Sequence, residues 1–443
     1  MFPHSSRNKT DSEPTSTPVL TPWWWDSAGQ QTWLNGVSDS QLPVHVDVLV
    51  AGSGYTGLHA ALVCAKAGRE TLVVDAAGLG FGCSSRNGGQ VSSSIKPGFE
   101  VLRKRHGEAV ALAIHQEGHR SLEWLGAFID SEGLDCDFNR CGRFHAAHNS
   151  SSFKHLKDRV NSEHPLLKSG AELISKEDQG AFIASDVYYG GAVFPRHASL
   201  HPAKYHRELV RIASDQGVKF VADCPVETVR GEGPFRVLTS RGEVLANEVV
   251  IATNGYTSAV TPALQRRIIP IGSYMIATEQ IQTALLNRLL PADKIISDSR
   301  KVVYYYRKSP DGQRILFGGR VSGREADPAV SGPLLRRELV HLLPELEGIG
   351  ISHSWSGTVA YTFDELPHIG RYQGMHYAMG YCGAGVGMAS YLGNKLGKQL
   401  TGNPGGETAF SIPAFQTRPG YRGKPWFLPA AVQYYRLRDR LNI

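Results

Sequence analysis

Apolar positions fall along this chain in two rhythms. Val46, Val48, Leu49 and Val50 crowd together as a buried strand, and the run breaks at Gly52, Gly54 and Gly57. Leu58, Ala61, Leu62 and Ala65 then recur at i, i+3, i+4 and i+7, which predicts a helix with one apolar face. A second apolar strand closes on Asp75. Buried strands followed by glycine return at Val218 to Val229, Glu248 to Gly255 and His376 to Gly385, and Val386 to Leu400 continues as a helix with Met388, Leu392 and Leu396 on one face. Val302 to Gly319 reads differently, as two strands joined through a Ser-Pro-Asp-Gly turn. Parallel-type strands alternating with antiparallel hairpins predict an α/β protein of two units interleaved in sequence, one doubly wound and one built on an antiparallel sheet.

The first unit has the order strand, G-x-G-x-x-G turn, helix, strand, acid. The first glycine permits a tight turn, the second lets backbone approach a pyrophosphate, and the third packs helix against strand. The helix N-terminus then faces the phosphates. Asp75 stands roughly 20 residues after the glycines, where an acid hydrogen-bonds a ribose hydroxyl. This pattern specifies a dinucleotide and leaves NAD and FAD equally open.

The chain has 443 residues, with 41% hydrophobic and 20% charged, as in an ordinary globular protein. No apolar run reaches the ~18 residues that span a bilayer, and no basic-then-apolar signal opens the chain, so a cytoplasmic protein with no membrane partner is expected. The net charge of +6 is scattered, which argues against nucleic acid; an anionic cofactor or mildly acidic substrate accounts for it equally well. The six cysteines show no C-x-x-C pair and no spacing with histidine, so reduced thiols and no metal are expected. The Ser/Thr/Pro-rich first 20 or so residues are expected to stay mobile unless docked, and Trp23, Trp24 and Trp25 to pack that arm onto the body. Oligomeric state is left open.

Gly78 to Gln90, GLGFGCSSRNGGQ, resembles the loop that crosses the pyrophosphate and reaches the isoalloxazine in the D-amino-acid-oxidase-like FAD family. EVVIATNG resembles that family's A-T-G strand, PVETV its adenine-side strand, and LPHIGR with GYCGAGVGMAS its C-terminal flavin-closing segment. Within the family, the S-R-N-G-G-Q loop, L-P-H-I-G-R and QYYRLRDRL are similar to the γ-glutamylputrescine oxidoreductase branch. The resemblance implies a Rossmann-like FAD-binding domain (44–95, 200–265 and 350–402) interleaved with an antiparallel-sheet substrate domain (96–199 and 266–349), between an arm (1–43) and a tail (403–443). It implies FAD contacts from Gly52, Ser53, Gly54, Tyr55, Thr56, Gly57, Asp75 and Ala76, and from Ser84, Ser85, Arg86, Asn87, Gly88, Gly89 and Gln90. Val226 by its backbone, Ala252, Thr253, Asn254 and Gly255, and Gly383, Ala384, Gly385 and Val386 complete the set. Arg86 and Asn87 either fix the flavin edge or brace the loop.

Departures from the family constrain the substrate. Where members that oxidise α-amino acids carry a carboxylate-binding arginine, this chain aligns Val359, which disfavours a simple α-amino acid unless Arg307 or Arg320 moves in. Gly357 aligns near the cysteine that tethers flavin in the sarcosine oxidase branch, so noncovalent FAD is expected. Ala384 stands between the last glycines, where the branch often carries a histidine. Tyr304 and Tyr306 share one strand face, with Tyr305 on the other; Tyr304, Tyr306, Trp355 and Tyr361 are the candidate aromatic walls for an ammonium group. Asp364, Glu365 and His368 offer acid–base groups or loop braces. The expected activity is oxidation of a small-molecule amine, with molecular oxygen as second substrate and hydrogen peroxide as product. The alternatives are a dehydrogenase or N-demethylase using another acceptor, an amino-acid oxidase, and a non-catalytic flavoprotein binding module.

Overall fold

The computed structural model describes residues 17–29, 39, 41–320 and 326–441. His45–Ala51 lies at the centre of the first sheet, parallel to Thr71–Val74 on one side and to Gly242–Ile251 on the other. Lys219–Val221 extends the sheet beyond Thr71–Val74, and Met375–Met379 extends it beyond Gly242–Ile251. Val48 and Val50 enter one core while Leu49 and Ala51 enter another, so a strand buried on both faces needs an unbroken apolar run. Helices Tyr55–Lys66 and Gly385–Thr401 cover the same face. They cross at Gly393, where a Cβ would sit 2.5 Å from the Thr56 carbonyl oxygen.

The second sheet has eight strands, in the spatial order Ile351–Tyr361, Ile269–Thr278, Ile315–Gly319, Tyr305–Lys308, Ile295–Asp298, Arg143–Ala146, Gly191–Phe194, Glu172–Ile174. Its pairs are antiparallel except Ile295–Asp298 with Arg143–Ala146. One face buries Phe144, Tyr274, Ile276, Ile296, Tyr306 and Phe317 beneath Leu335, Leu339 and Leu342 of helix Pro328–Leu342. The other face turns toward the first sheet.

Three boundaries differ from the sequence expectation. Ile351–Tyr361 pairs along the whole of Ile269–Thr278, so the segment assigned to the FAD unit from residue 350 begins in the antiparallel sheet. Helix Glu108–Glu132, expected with the substrate unit, packs Leu122, Leu125 and Ile129 into the core of the parallel sheet. Val218 to Val229 is not one strand: the chain turns through Asp223, at φ 48°, and resumes as Val226–Arg230 in a hairpin on Gly242–Ile251.

The arm does dock. Val19 bridges to His353, and Trp23–Ser27 forms a short helix with all three indoles buried. Residues 1–16, the start of the Ser/Thr/Pro-rich stretch, lie outside the described residues. In the tail, the Asp439 carboxylate accepts the backbone N–H groups of Lys301 and Val302, so helix Leu428–Leu441 packs on its own chain. Among the described residues no helix is long and apolar enough to cross a membrane, and no cluster of His, Cys, Asp or Glu is placed to hold a metal.

Candidate FAD and substrate site

The glycine turn owes its shape to two contacts. Gly52 adopts φ 108°, and a Cβ there would lie 2.9 Å from the Ala252 carbonyl; a Cβ on Gly57 would lie 2.0 Å from the Gly52 carbonyl. Gly54 is different: its backbone is ordinary extended (φ −73°, ψ 177°), and a Cβ would meet only the Ser84 hydroxyl, at 2.9 Å. As N-cap of helix Tyr55–Lys66, Gly54 offers no side chain, which leaves the first-turn amides to outside acceptors. One of them, Tyr55 N–H, donates to Ser84 Oγ at 3.0 Å. Thr56 Oγ1 pairs instead with the Tyr381 hydroxyl.

Asp75 sits at the end of Thr71–Val74, where its carboxylate accepts Ser53 N–H at 2.8 Å, Ser53 Oγ–H at 2.6 Å and Ala77 N–H at 3.1 Å. Burial pushes this carboxyl up, opposed by the Ser53 bonds. Exposed Ala76 follows it. Ser53 Oγ also accepts Gly80 N–H, and so ties the acid to the second glycine loop.

That loop is held from several sides. Ser85 Oγ donates to the Gly80 carbonyl at 2.6 Å and accepts Trp25 Nε1–H at 2.8 Å. The Arg86 guanidinium lies over Trp25 and Phe81 at 4.7 and 4.1 Å and donates to the Phe81 and Ser356 carbonyls. Asn87 Nδ2 donates to the Cys83 and Ser84 carbonyls, while its Oδ1 accepts Gly89 N–H. Both side chains brace the loop. Gln90 Nε2 reaches the Ile296 and Tyr306 carbonyls of the second sheet, and a Cβ on Gly88 would meet Tyr305 at 2.9 Å. Trp25 is a loop contact that the sequence pattern gave no means of finding.

The later motifs converge on the same region. Ala252 faces Gly52, Thr253 Oγ1 bonds Thr257, Asn254 Oδ1 accepts Gly380 N–H, and Gly255 abuts Thr358. Val226 opens its hairpin strand on the far side of Gly242–Ile251. Ala384 caps helix Gly385–Thr401 without a side-chain bond, a second set of free amides and a positive helix end. Gly383 stands beside it, its Cβ position 3.5 Å from the Tyr361 hydroxyl, and Val386 is buried in the core. Lys96 Nζ lies 5.4 Å from the Tyr361 ring centroid, and Tyr361 is the largest influence raising that ammonium's pKa.

Register places a cross-strand row on the inward face of the second sheet: Trp355, Met275, Gly318, Tyr305, Ser297, His145. The expected tyrosine wall is therefore corrected. Tyr304 and Tyr306 point away, packing on Phe317, with Tyr306 bonded to Tyr188; Tyr305 faces the loop and bonds Ser273 at 2.9 Å. Trp355 is 1% exposed and donates to the Arg86 carbonyl, so it supports the loop and is closed to substrate. Tyr361 and Val359 remain partly exposed on the inward face. Gly357 shares that face, with its Cβ position 2.8 Å from Cys83 Sγ. Neither alternative arginine stands in for Val359. Arg307 donates to the Gly89 and Leu200 carbonyls, and Arg320 to Gly272. Asp364 and His368 clasp each other at 3.0 Å, both buried, with His368 stacked on Phe415, which makes them a structural pair. Glu365 is exposed in the turn between them.

Sequence reasoning also missed the basic end of this face. His145 Nδ1 bonds Ser297 Oγ at 2.9 Å; burial, then Arg143, lowers its pKa to about 3, so the ring is neutral. Burial pulls the Arg143 guanidinium down to about 10, with Arg159 pushing the same way.

Two uncapped helix starts, a glycine turn open at Gly54 and a half-buried acid suit a dinucleotide with an anionic pyrophosphate. The family described as FAD dependent oxidoreductase, DAO, matches residues 47–399. This chain belongs to that family. The FAD-dependent oxidoreductase is 30% identical over 403 residues to gamma-glutamylputrescine oxidoreductase of Escherichia coli (strain K12), covering 90% of this chain and 93% of the relative. It is 28% identical to probable oxidoreductase OrdL of Haemophilus influenzae, over 89% and 92% of the two chains. In fold it is similar to glycine oxidase from Geobacillus kaustophilus (TM-score 0.68, 18% identity, 85% and 99% covered). L-proline dehydrogenase from P. horikoshii is another such neighbour (TM-score 0.66, 18% identity, 88% and 99% covered). Its cofactor is FAD.

Proposed function

We propose that this oxidoreductase oxidises the C–N bond of an amine, a polyamine or an acylated diamine of the γ-glutamylputrescine kind. In balance, R–CH2–NH2, oxygen and water give an aldehyde, ammonia and hydrogen peroxide, through an imine that water hydrolyses. The observation that carries this reading is Val359 on the inward face, with Arg307 and Arg320 already bonded to carbonyls. An α-amino acid would bury its carboxylate there without a guanidinium. The name of the Escherichia coli relative points to the same substrate class.

FAD, held noncovalently by the glycine turn, the loop and the two helix starts, supplies the two-electron acceptor. The chain's own residues set the conditions. The start of helix Gly385–Thr401 provides amides and a positive end beside Gly383 and Tyr361. Tyr305 and Val359, both partly exposed, make the wall largely apolar. Lys96 brings a cation near Tyr361, and a like charge disfavours a protonated amine beside it. Neutral His145 and Tyr305, whose hydroxyl is pushed up to about 12 by burial, keep their protonation between pH 6 and 10.

The pH profile of kcat/KM for an acylated diamine tests this. The expected result is a tenfold rise per pH unit toward the amine's own pKa, with peroxide formed one for one with aldehyde. A flat profile across pH 6 to 10 contradicts selection of the neutral amine, and undiminished anaerobic turnover with a dye assigns a different acceptor.

A further inference from the structure

We propose that Arg143, His145 and His197 form a subsite for a carboxylate carried at the end of the substrate remote from the reacting C–N bond. The amine reading above is needed only for what bears that carboxylate. Arg143 opens strand Arg143–Ala146, and since Phe144 and Ala146 enter the core beneath helix Pro328–Leu342, Arg143 and His145 share the inward face. Among the described residues no hydrogen bond or ion pair reaches the Arg143 side chain, and its Nε is shut from solvent without a partner. Arg159 is the strongest charge acting on it, and repels. The acid nearest Arg159 in effect, Glu163, is engaged by the Ser169 N–H and hydroxyl. Arg143 as a whole is only partly buried, so the rest of its guanidinium is open to water and to an anionic ligand that would offset the Arg159 charge.

A second group points to the same ligand. His197 is 3% exposed, and its Nδ1 is buried without a partner while Nε2 pairs with Ser93 Oγ at 3.3 Å. It stands beside Arg143: its carbonyl accepts Gly142 N–H at 2.8 Å, and its ring stacks on Phe194, the residue opposite Arg143 in the sheet. A guanidinium with flanking neutral imidazoles is a donor set matched to a carboxylate.

Position sets the cluster apart from the glycine loop. His145 lies opposite Ser297, and Ser297 opposite Tyr305, so Arg143–Ala146 stands two strand spacings, ~10 Å, from the tyrosine on which the loop rests. A carboxylate held there is therefore not one borne by a carbon reacting beside the loop, and the ligands to test carry it several methylenes from the nitrogen.

The test uses the oxidised holoenzyme and a pair of ligands that lack an oxidisable amine: N-butylglutaramate and its methyl ester. By calorimetry the acid is expected to bind ~10- to 100-fold more tightly than the ester, the worth of one strong charge-assisted contact, and Arg143→Gln to erase that preference. Equal binding of acid and ester to the wild-type protein overturns the subsite, and stands whether or not the variant folds. A preference that survives in a folded Arg143→Gln protein also overturns it. Turnover keeps the two readings apart: if N-acetylputrescine and its N-glutaryl analogue are oxidised equally well, the amine reading survives and the subsite fails. If neither is oxidised while acid and ester still differ in binding, the subsite survives and the amine reading fails.

Discussion

Gly54→Val separates holding the cofactor from holding the fold. The backbone at Gly54 suits any residue, and a Cβ there meets only the Ser84 side chain, which can rotate away. The apoprotein then loses one bond, Tyr55 N–H to Ser84 Oγ, a cost of about 1 kcal/mol. The cofactor loses more. A side chain at the mouth of the turn holds a pyrophosphate off the amides that begin helix Tyr55–Lys66. If two charge-assisted bonds of ~1.5 kcal/mol each are lost, affinity falls by ~3 kcal/mol, or ~100-fold. Gly57→Ala is the contrast: its Cβ would lie 2.0 Å from the Gly52 carbonyl, backbone against backbone, and the overpacking costs ~1–3 kcal/mol or more in the apoprotein itself. Flavin absorbance per protein, FAD titration of apoprotein and apoprotein melting give both readouts. Gly54→Val that keeps wild-type FAD affinity refutes the assignment of the turn; an apoprotein as damaged as Gly57→Ala refutes the separation.

Two further outcomes are expected. Ser85→Ala strands the buried Trp25 Nε1 and the Gly80 carbonyl, so we expect ~2 kcal/mol of lost stability by denaturant melt and a loop that binds FAD more weakly, whereas an unchanged melt removes Trp25 from the account. Burial lowers the fully buried His59 and His201 to about 3 and His206 to about 4. Their folded pKa values lie below the ordinary 6.5, so this stability is complete above 6.5 and is lost as pH falls toward 4, by ~1.4 kcal/mol per histidine at pH 5.5 and ~4 kcal/mol together. A melting temperature unchanged between pH 7.5 and 5.5 contradicts it.

The glycine unit and the interleaving of two sheets were legible because each rests on local spacing. Choice of face was not. Alternation places Tyr304 and Tyr306 together but does not say which side of the strand is the core, and here both sides are covered: one by helix Pro328–Leu342, the other by the loop and the tryptophan arm. Strand Ile351–Tyr361 was misassigned because its partner, Ile269–Thr278, lies far back in sequence. Trp25 reaches Ser85 across 60 residues, beyond any local rule. Arg143 and His145 did leave a signal, polar residues alternating with Phe144 and Ala146, which distinguishes a strand with one face off the apolar core.

The central claim is that this FAD-dependent oxidoreductase takes electrons from an amine whose reacting carbon bears no carboxylate. Anaerobic mixing of the holoenzyme with an acylated diamine in one syringe, and with glycine, D-alanine or L-proline in another, tests it by the flavin absorbance alone. The expected result is rapid bleaching by the diamine and none by the amino acids. Bleaching by an amino acid with the diamine inert contradicts the account.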